Sequence, residues 1–143
     1  MTYKYNDGGR AQAGFKGDVG DCTVRSIAIA TGQPYDVVYS ALFELNRLNN
    51  NNPRKASPRD GNTSMKTIRA YMESIGWQWV ATMGIGTGCK VHLKADELPS
   101  GNIVARCSRH MVAVMDGVIN DTYDSSRGGS RCVYGYFIKG VML

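Results

Sequence analysis

Three residues of this chain have types and spacing that nucleophilic catalysis can use: Cys22, His110 and Asp121. Cys22 follows a Gly-Asp pair and opens a stretch, Cys22 to Thr31, in which Val24, Ile27, Ala28 and Thr31 recur at helical spacing. Asp21 suits the N-cap of that helix and Gly32 its C-terminal stop. A thiol in the first helical turn lies against unpaired backbone N–H groups and the positive end of the helix dipole, which favour the thiolate. The same N–H groups can hold a developing oxyanion. Taken alone, a cysteine there reads equally well as a small apolar residue packed at a helix start.

The partner for that thiol comes from a predicted hairpin. Arg109 to Met115 and Val118 to Tyr123 alternate as strands and are joined by Asp116-Gly117, a strong two-residue turn signal. With those two residues as the loop, Met115 pairs with Val118, His110 lies opposite Tyr123, and Val112 lies opposite Asp121. His110, Val112 and Val114 then share a face with Ile119, Asp121 and Tyr123, which makes His110 and Asp121 diagonal neighbours. Asp124 falls on the opposite face and Asp116 is used by the turn, so the register selects Asp121. A histidine beside a carboxylate is also a common structural pair. Together with Cys22, however, it supplies nucleophile, general base and orienting carboxylate.

The rest of the chain must bring these groups together. The first twenty residues are glycine-rich and read as a loop wrapping the domain. After the Cys22 helix, Pro34 opens a second helix, Tyr35 to about Leu48, with Val38, Leu42, Leu45 and Leu48 as its apolar face. Asn49 to Asn62, with Arg54, Lys55 and Arg59, reads as a mobile basic loop. A third helix is predicted from about Thr63 to Ile75, stopped by Gly76. Strands follow at Trp77 to Met83, Lys90 to Leu93, Asn102 to Arg106, the hairpin, and Cys132 to Met142. Helices first and an antiparallel sheet afterwards make an α+β domain.

The chain has 143 residues, 43% apolar and 20% charged, which suits one compact domain spanning residues 1–143 and excludes disorder, collagen and coiled coil. The net charge of +5 permits loose attraction to an anionic partner such as nucleic acid without establishing it. No apolar run suits a membrane helix, and Met1 to Arg10 has no apolar signal core, so no membrane partner and a cytoplasmic location are expected. In that setting Cys22, Cys89, Cys107 and Cys132 are expected to be reduced thiols.

The order of these motifs, with Asp21-Cys22 at the first helix and His110 through Asn120-Asp121 on the later strands, resembles the papain-like cysteine peptidase superfamily. It is most similar to the compact bacterial and phage branch, such as leader-peptide-processing peptidases. Gly20-Asp21-Cys22 with Arg25, and Thr31-Gly32 with Pro34-Tyr35, also resemble small uncharacterised phage and bacterial proteins. The resemblance implies a papain-like core, a Cys22-His110-Asp121 triad, and an oxyanion-hole Gln upstream of the nucleophile. Lys16 stands about where that Gln is expected. Gln12, further upstream, is the oxyanion-hole candidate; failing it, Cys22's own N–H would act with another donor.

The expected activity is a cysteine-dependent hydrolase or acyl transferase acting on a peptide or isopeptide-like amide through a thioester, with a peptide or protein substrate and no cofactor. One alternative is an inactive papain-like module that binds a protein or nucleic acid. A second is a zinc-stabilised structural protein, because Cys89/His92 and Cys107/His110 each have a C-x2-H spacing. Zinc and the triad would compete for His110, and no metal is expected. Trp77, Trp79 and Tyr71 read as core, and Arg106, Arg109, Arg127 and Arg131 as solvated charges. Gly84 to Gly88 lacks the Lys-Ser/Thr ending of a phosphate loop.

Overall fold

The structure, a computed structural model, describes residues 1–16, 20–49, 55–61 and 63–140. Helix α1 (Cys22–Thr31) ends at Gly32, whose φ of 74° closes its N–H onto the Ala28 carbonyl at 3.0 Å. That left-handed turn is cheap for glycine alone. Helix α2 (Tyr35–Asn49) begins directly after Pro34, and helix α3 (Met65–Ser74) is capped by Ser64 Oγ, which accepts the Thr67 N–H at 3.2 Å. All three helices lie close to their expected bounds. The apolar face of α2 differs at its end: Leu48 is 66% exposed, whereas Asn46 is buried and donates to Ala56 O and Thr63 Oγ1.

Seven strands form one sheet among the described residues: β1 (Thr2–Tyr5), β2 (Trp77–Ala81), β3 (Val91–His92), β4 (Asn102–Cys107), β5 (His110–Met115), β6 (Val118–Asp121) and β7 (Cys132–Lys139). The order is β1-β6-β5-β4-β7-β2, with β3 also paired to β7. The hairpin has the predicted register, Met115 with Val118 and Ala113 with Asn120. Asp116 and Gly117 have φ values of 49° and 79°, the positive pair that a tight hairpin turn requires. Residues 141–143 of the expected last strand lie outside the described residues.

Three expectations are corrected. First, β1 lies within the stretch read as a loop, and it pairs parallel to β6, so the sheet is mostly rather than wholly antiparallel. Its four residues are largely exposed and their partner is remote in sequence, so local periodicity is weak. Second, Lys55–Gly61 is docked rather than an open loop. Ala56 is fully buried, and Arg59 donates to Lys16 O at 2.8 Å while its guanidinium lies over the Phe15 ring. The remainder of the predicted 49–62 loop, residues 50–54 and 62, lies outside the described residues. Third, Cys89 and Cys132 form a disulfide, with Cα atoms 5.9 Å apart, so Cys22 and Cys107 are the free thiols. Pairing of β3 with β7 sets His92 against Cys132 and brings nearby Cys89 within bonding distance.

The sheet separates two apolar clusters. On one face Val104, Met111, Ala113 and Phe137 meet Val24, Ile27, Val38, Leu42, Ile68 and Met72 from the helices. On the other, Ile103, Ala105, Val112, Val114, Ile119 and Val133 are covered by Leu93 and Leu98. Trp77 and Trp79 belong to the helical side, as expected of core aromatics. Helix α1 lies along β5 and is buried at Thr23 through Ala28 and again at Ala30, so it is enclosed nearly all round. That enclosure fixes where its first residue points. Among the described residues no helix is long and apolar enough to cross a membrane.

Candidate active site

The site forms where β5 and β6 stop pairing. Their ladder covers Ala113–Met115 against Val118–Asn120, and the first residues of β5 extend past it towards the start of α1. Cys22, half-buried at that start, lies beside the His110 side chain and the Met111 backbone N–H, both of which act on its titration. Thr23 Oγ1, next along the helix, donates to Met111 Sδ at 3.5 Å and holds this end of α1 on the strand. The turn before β5 contains Arg109 at a φ of 55°, a conformation disfavoured for a side-chain-bearing residue and placed directly before His110.

His110 is 5% exposed, and its Nε2 lies 2.6 Å from Asp121 Oδ2. With Nε2 so occupied, Nδ1 is the ring nitrogen left for the thiol. Asp121, 2% exposed, also accepts from Ser125 Oγ at 2.9 Å, the Thr122 N–H at 2.7 Å and Arg25 Nη2 at 3.0 Å. Tyr123 places its ring 5.3 Å from that of His110 and is 47% exposed, so it forms the solvent side of the imidazole. The three sequence-predicted triad residues are thus brought together.

The electrostatics follow from these contacts. Burial pushes the Cys22 thiol up, but the hydrogen bond and charge of His110, the Met111 N–H and the Arg25 charge together hold it below the usual thiol value. Burial pushes His110 down, and this is outweighed by its bonds to Asp121 and Cys22, so it lies above the usual imidazole value. Burial likewise raises Asp121, but the His110 bond and charge, the Thr122 N–H and Arg25 bring it below the usual carboxylate value. All three shifts favour a thiolate–imidazolium pair braced by a carboxylate.

Comparison with protein-family models, with curated proteins and with solved structures found no match. The chemistry of the site therefore rests on its own geometry.

Several sequence readings need revision here. Asp21 makes no side-chain cap bond to α1; it is fully buried and accepts from Arg25 Nη1, Arg10 Nη1 and Tyr35 Oη. Gln12 is exposed and lines a hollow with Gly8, Gly9, Pro34, Tyr35 and Asp36, a lining to which Cys22 does not contribute. The backbone N–H groups that adjoin the thiol are those opening α1, which have no intrahelical partners. Arg131 is buried rather than solvated: it donates to Ser108 O at 2.8 Å and Ser125 O at 3.4 Å, tying together the turns beside His110 and Asp121. Arg109 and Arg127 are exposed and Arg106 is half-buried. The C-x2-H pairs do not converge. Cys89 is in the disulfide, Cys107 is buried in the second cluster, and His92 pairs with Glu97 at 3.2 Å. Among the described residues no group of His, Cys, Asp or Glu is arranged to hold a metal ion.

Sequence reasoning missed Ser125 and the buried roles of Arg25 and Arg131. Arg25 carried a legible signal, since it stands one helical turn after Asp21 with opposite charge. Its reach to Asp121 depends on the packing of α1 against the sheet and had no local sign.

Proposed function

We propose that this protein is a cysteine-dependent hydrolase or acyl transferase with a papain-like core, acting on a peptide or isopeptide-like amide. The observation that carries this reading is the buried His110–Asp121 pair at 2.6 Å, set close enough to the Cys22 thiol at the start of α1 to act on its titration. The Cys22 thiolate adds to the amide carbonyl, forming the S–C bond, and the developing oxyanion meets the N–H groups at the start of α1. The imidazolium gives its proton to the leaving nitrogen as the C–N bond breaks, leaving a thioester. Water, or an amine acceptor, loses a proton to His110 as it attacks, and the thiolate returns. Asp121 keeps the ring oriented throughout.

The supporting experiment is selective alkylation. A limiting dose of iodoacetamide near neutral pH, followed by intact mass and peptide mapping, should carboxamidomethylate Cys22 first. Cys107 should stay unlabelled, because burial pushes its thiol up to about 11. Labelling of Cys107 ahead of Cys22, or an inert Cys22, would overturn the proposal. The position of Gln12 favours one second reading, a papain-like module that binds a protein or nucleic acid without turnover. Salt-sensitive binding unchanged by Cys22→Ala, with no cleavage product, would select that module. The cytoplasmic setting belongs to the same proposal, and the Cys89–Cys132 disulfide is the observation that pulls against it.

A further inference from the structure

Among the described buried charged side chains beside the triad, Arg25 alone reaches both Asp21 and Asp121. Arg25 is 5% exposed and lies on α1 just after Cys22. Its Nη1 donates to Asp21 Oδ1 and its Nη2 to Asp121 Oδ1 at 3.0 Å. One planar fork therefore joins the carboxylate immediately before the thiol-bearing residue to the carboxylate that holds the imidazole. A guanidinium fixes two acceptors in a set geometry, which an ammonium does not.

Resting on the thiol-hydrolase reading, we propose that Arg25 is a positioning residue of the site. It holds Asp121 Oδ1 so that Oδ2 faces His110 Nε2, and it fixes the start of α1 so that Cys22 meets the ring. The surroundings fit a fixed strut. Among the described residues, the charged groups facing Arg25 include Asp21 ahead of α1, Asp121 on β6 and the Cys22 thiol on α1 itself. Asp21 is held in turn by Arg10 Nη1 at 3.3 Å from the N-terminal segment and by Tyr35 Oη at 2.8 Å from α2. The groups facing Cys22 are His110 from β5, the Met111 N–H and Arg25. The N-terminal segment closes over this arrangement at Gly8, where a Cβ would meet the Arg25 carbonyl at 3.0 Å. A merely structural ion pair would need only Asp21. The second arm, to the triad carboxylate, is what a positioning role requires.

The test is the rate of Cys22 carboxamidomethylation against pH in the wild type, Arg25→Gln and Arg25→Lys, alongside thermal melts. Gly135→Ala serves as a comparison variant, because its added Cβ would meet Trp79 at 2.2 Å and the Val80 carbonyl at 2.8 Å, groups that make none of the triad contacts. In Arg25→Gln the pH of half-maximal labelling should rise, with the rate at about pH 6 falling about tenfold, equivalent to one pKa unit. Arg25→Lys, which keeps the charge without the fork, should recover only part of that loss. Gly135→Ala should melt lower with its labelling profile unmoved. Folded Arg25 variants with a wild-type profile overturn the proposal while leaving the thiol-hydrolase reading intact. A wild-type Cys22 that titrates as an ordinary thiol overturns that reading beneath it. Failure of both Arg25 variants to fold, or a shift in Gly135→Ala equal to that in Arg25→Gln, makes the role structural and also overturns it.

Discussion

Asp121 shows how much of this site depends on one side chain. Its two oxygens accept from His110, Ser125, Arg25 and the Thr122 N–H, so the carboxylate is held from several sides and is nearly inaccessible to water. Such a group stays charged only because those donors outweigh its desolvation. Its folded pKa lies below the ordinary 3.8, so the folded protein binds that proton less readily than the unfolded chain. The resulting stabilisation is complete above the unfolded value, about pH 4, and is lost as pH falls through the folded value. Asp121→Asn removes this dependence. It also leaves Arg25 and His110 short of a buried counter-charge, which costs about 3 kcal/mol or somewhat more. Urea unfolding midpoints measured from about pH 7 to about pH 3 should therefore fall less steeply in Asp121→Asn, from a lower starting point. Parallel acid limbs in the two proteins would show that this carboxylate is not held as described.

At the level of elements, the site depends on the start of α1 being pressed against the parting ends of β5 and β6. Gly20 is where that pressure is transmitted. With a φ of 21°, it sits so close to the docked Lys55–Gly61 segment that a Cβ would meet Gly61 N at 2.9 Å and Arg59 O at 3.0 Å. These are backbone atoms, so the segment or the helix start must move. Gly20→Ala should cost about 1–3 kcal/mol, the usual range for overpacking, and should also slow Cys22 alkylation. Gly135→Ala should cost at least as much with no change in alkylation, because its clashes are with Trp79 and the Val80 carbonyl. Equal alkylation in both variants would detach the docked segment from the site. The same elements mark what sequence can reveal. The hairpin register was legible because Asp116-Gly117 permits one tight turn, and that register alone distinguished Asp121 from Asp116 and Asp124. The bounds of α1 were legible from its burial stripe and from Gly32. Strand β1 was not, because four largely exposed residues carry little periodicity and their partner β6 lies far along the chain. The burial of Asp21 was only partly legible: its pairing with Arg25 lies one helical turn away, but its bonds to Arg10 and to Tyr35 of α2 depend on tertiary packing.

Over the whole molecule, the chain divides by what it brings to the site. The thiol comes from the N-terminal part, while His110 and Asp121 both lie between Cys89 and Cys132, the residues joined by the disulfide. That bond closes a loop with a sequence separation of 43, which contains β3 through β6. Closing a loop of this length removes freedom from the unfolded chain worth about 4 kcal/mol on an entropic reckoning. Cys132 opens β7 next to Arg131, whose guanidinium ties the turns flanking His110 and Asp121. The crosslink thus closes the half that carries base and carboxylate, while the thiol approaches from outside it on α1, held by packing and by non-covalent bonds such as Arg25–Asp121 and Thr23–Met111. Thiol titration of the denatured, unreduced protein should find Cys22 and Cys107 only, and prior reduction should expose Cys89 and Cys132 as well. The double variant Cys89→Ser/Cys132→Ser should melt lower yet keep a Cys22 that is alkylated ahead of Cys107, since neither sulfur of the crosslink touches the triad. Finding all four thiols free without reduction would remove the crosslink and restore the reduced state first expected from a cytoplasmic setting. A double variant whose Cys22 has lost its precedence over Cys107 would show that the closed loop holds the imidazole in place as well as stabilising the fold.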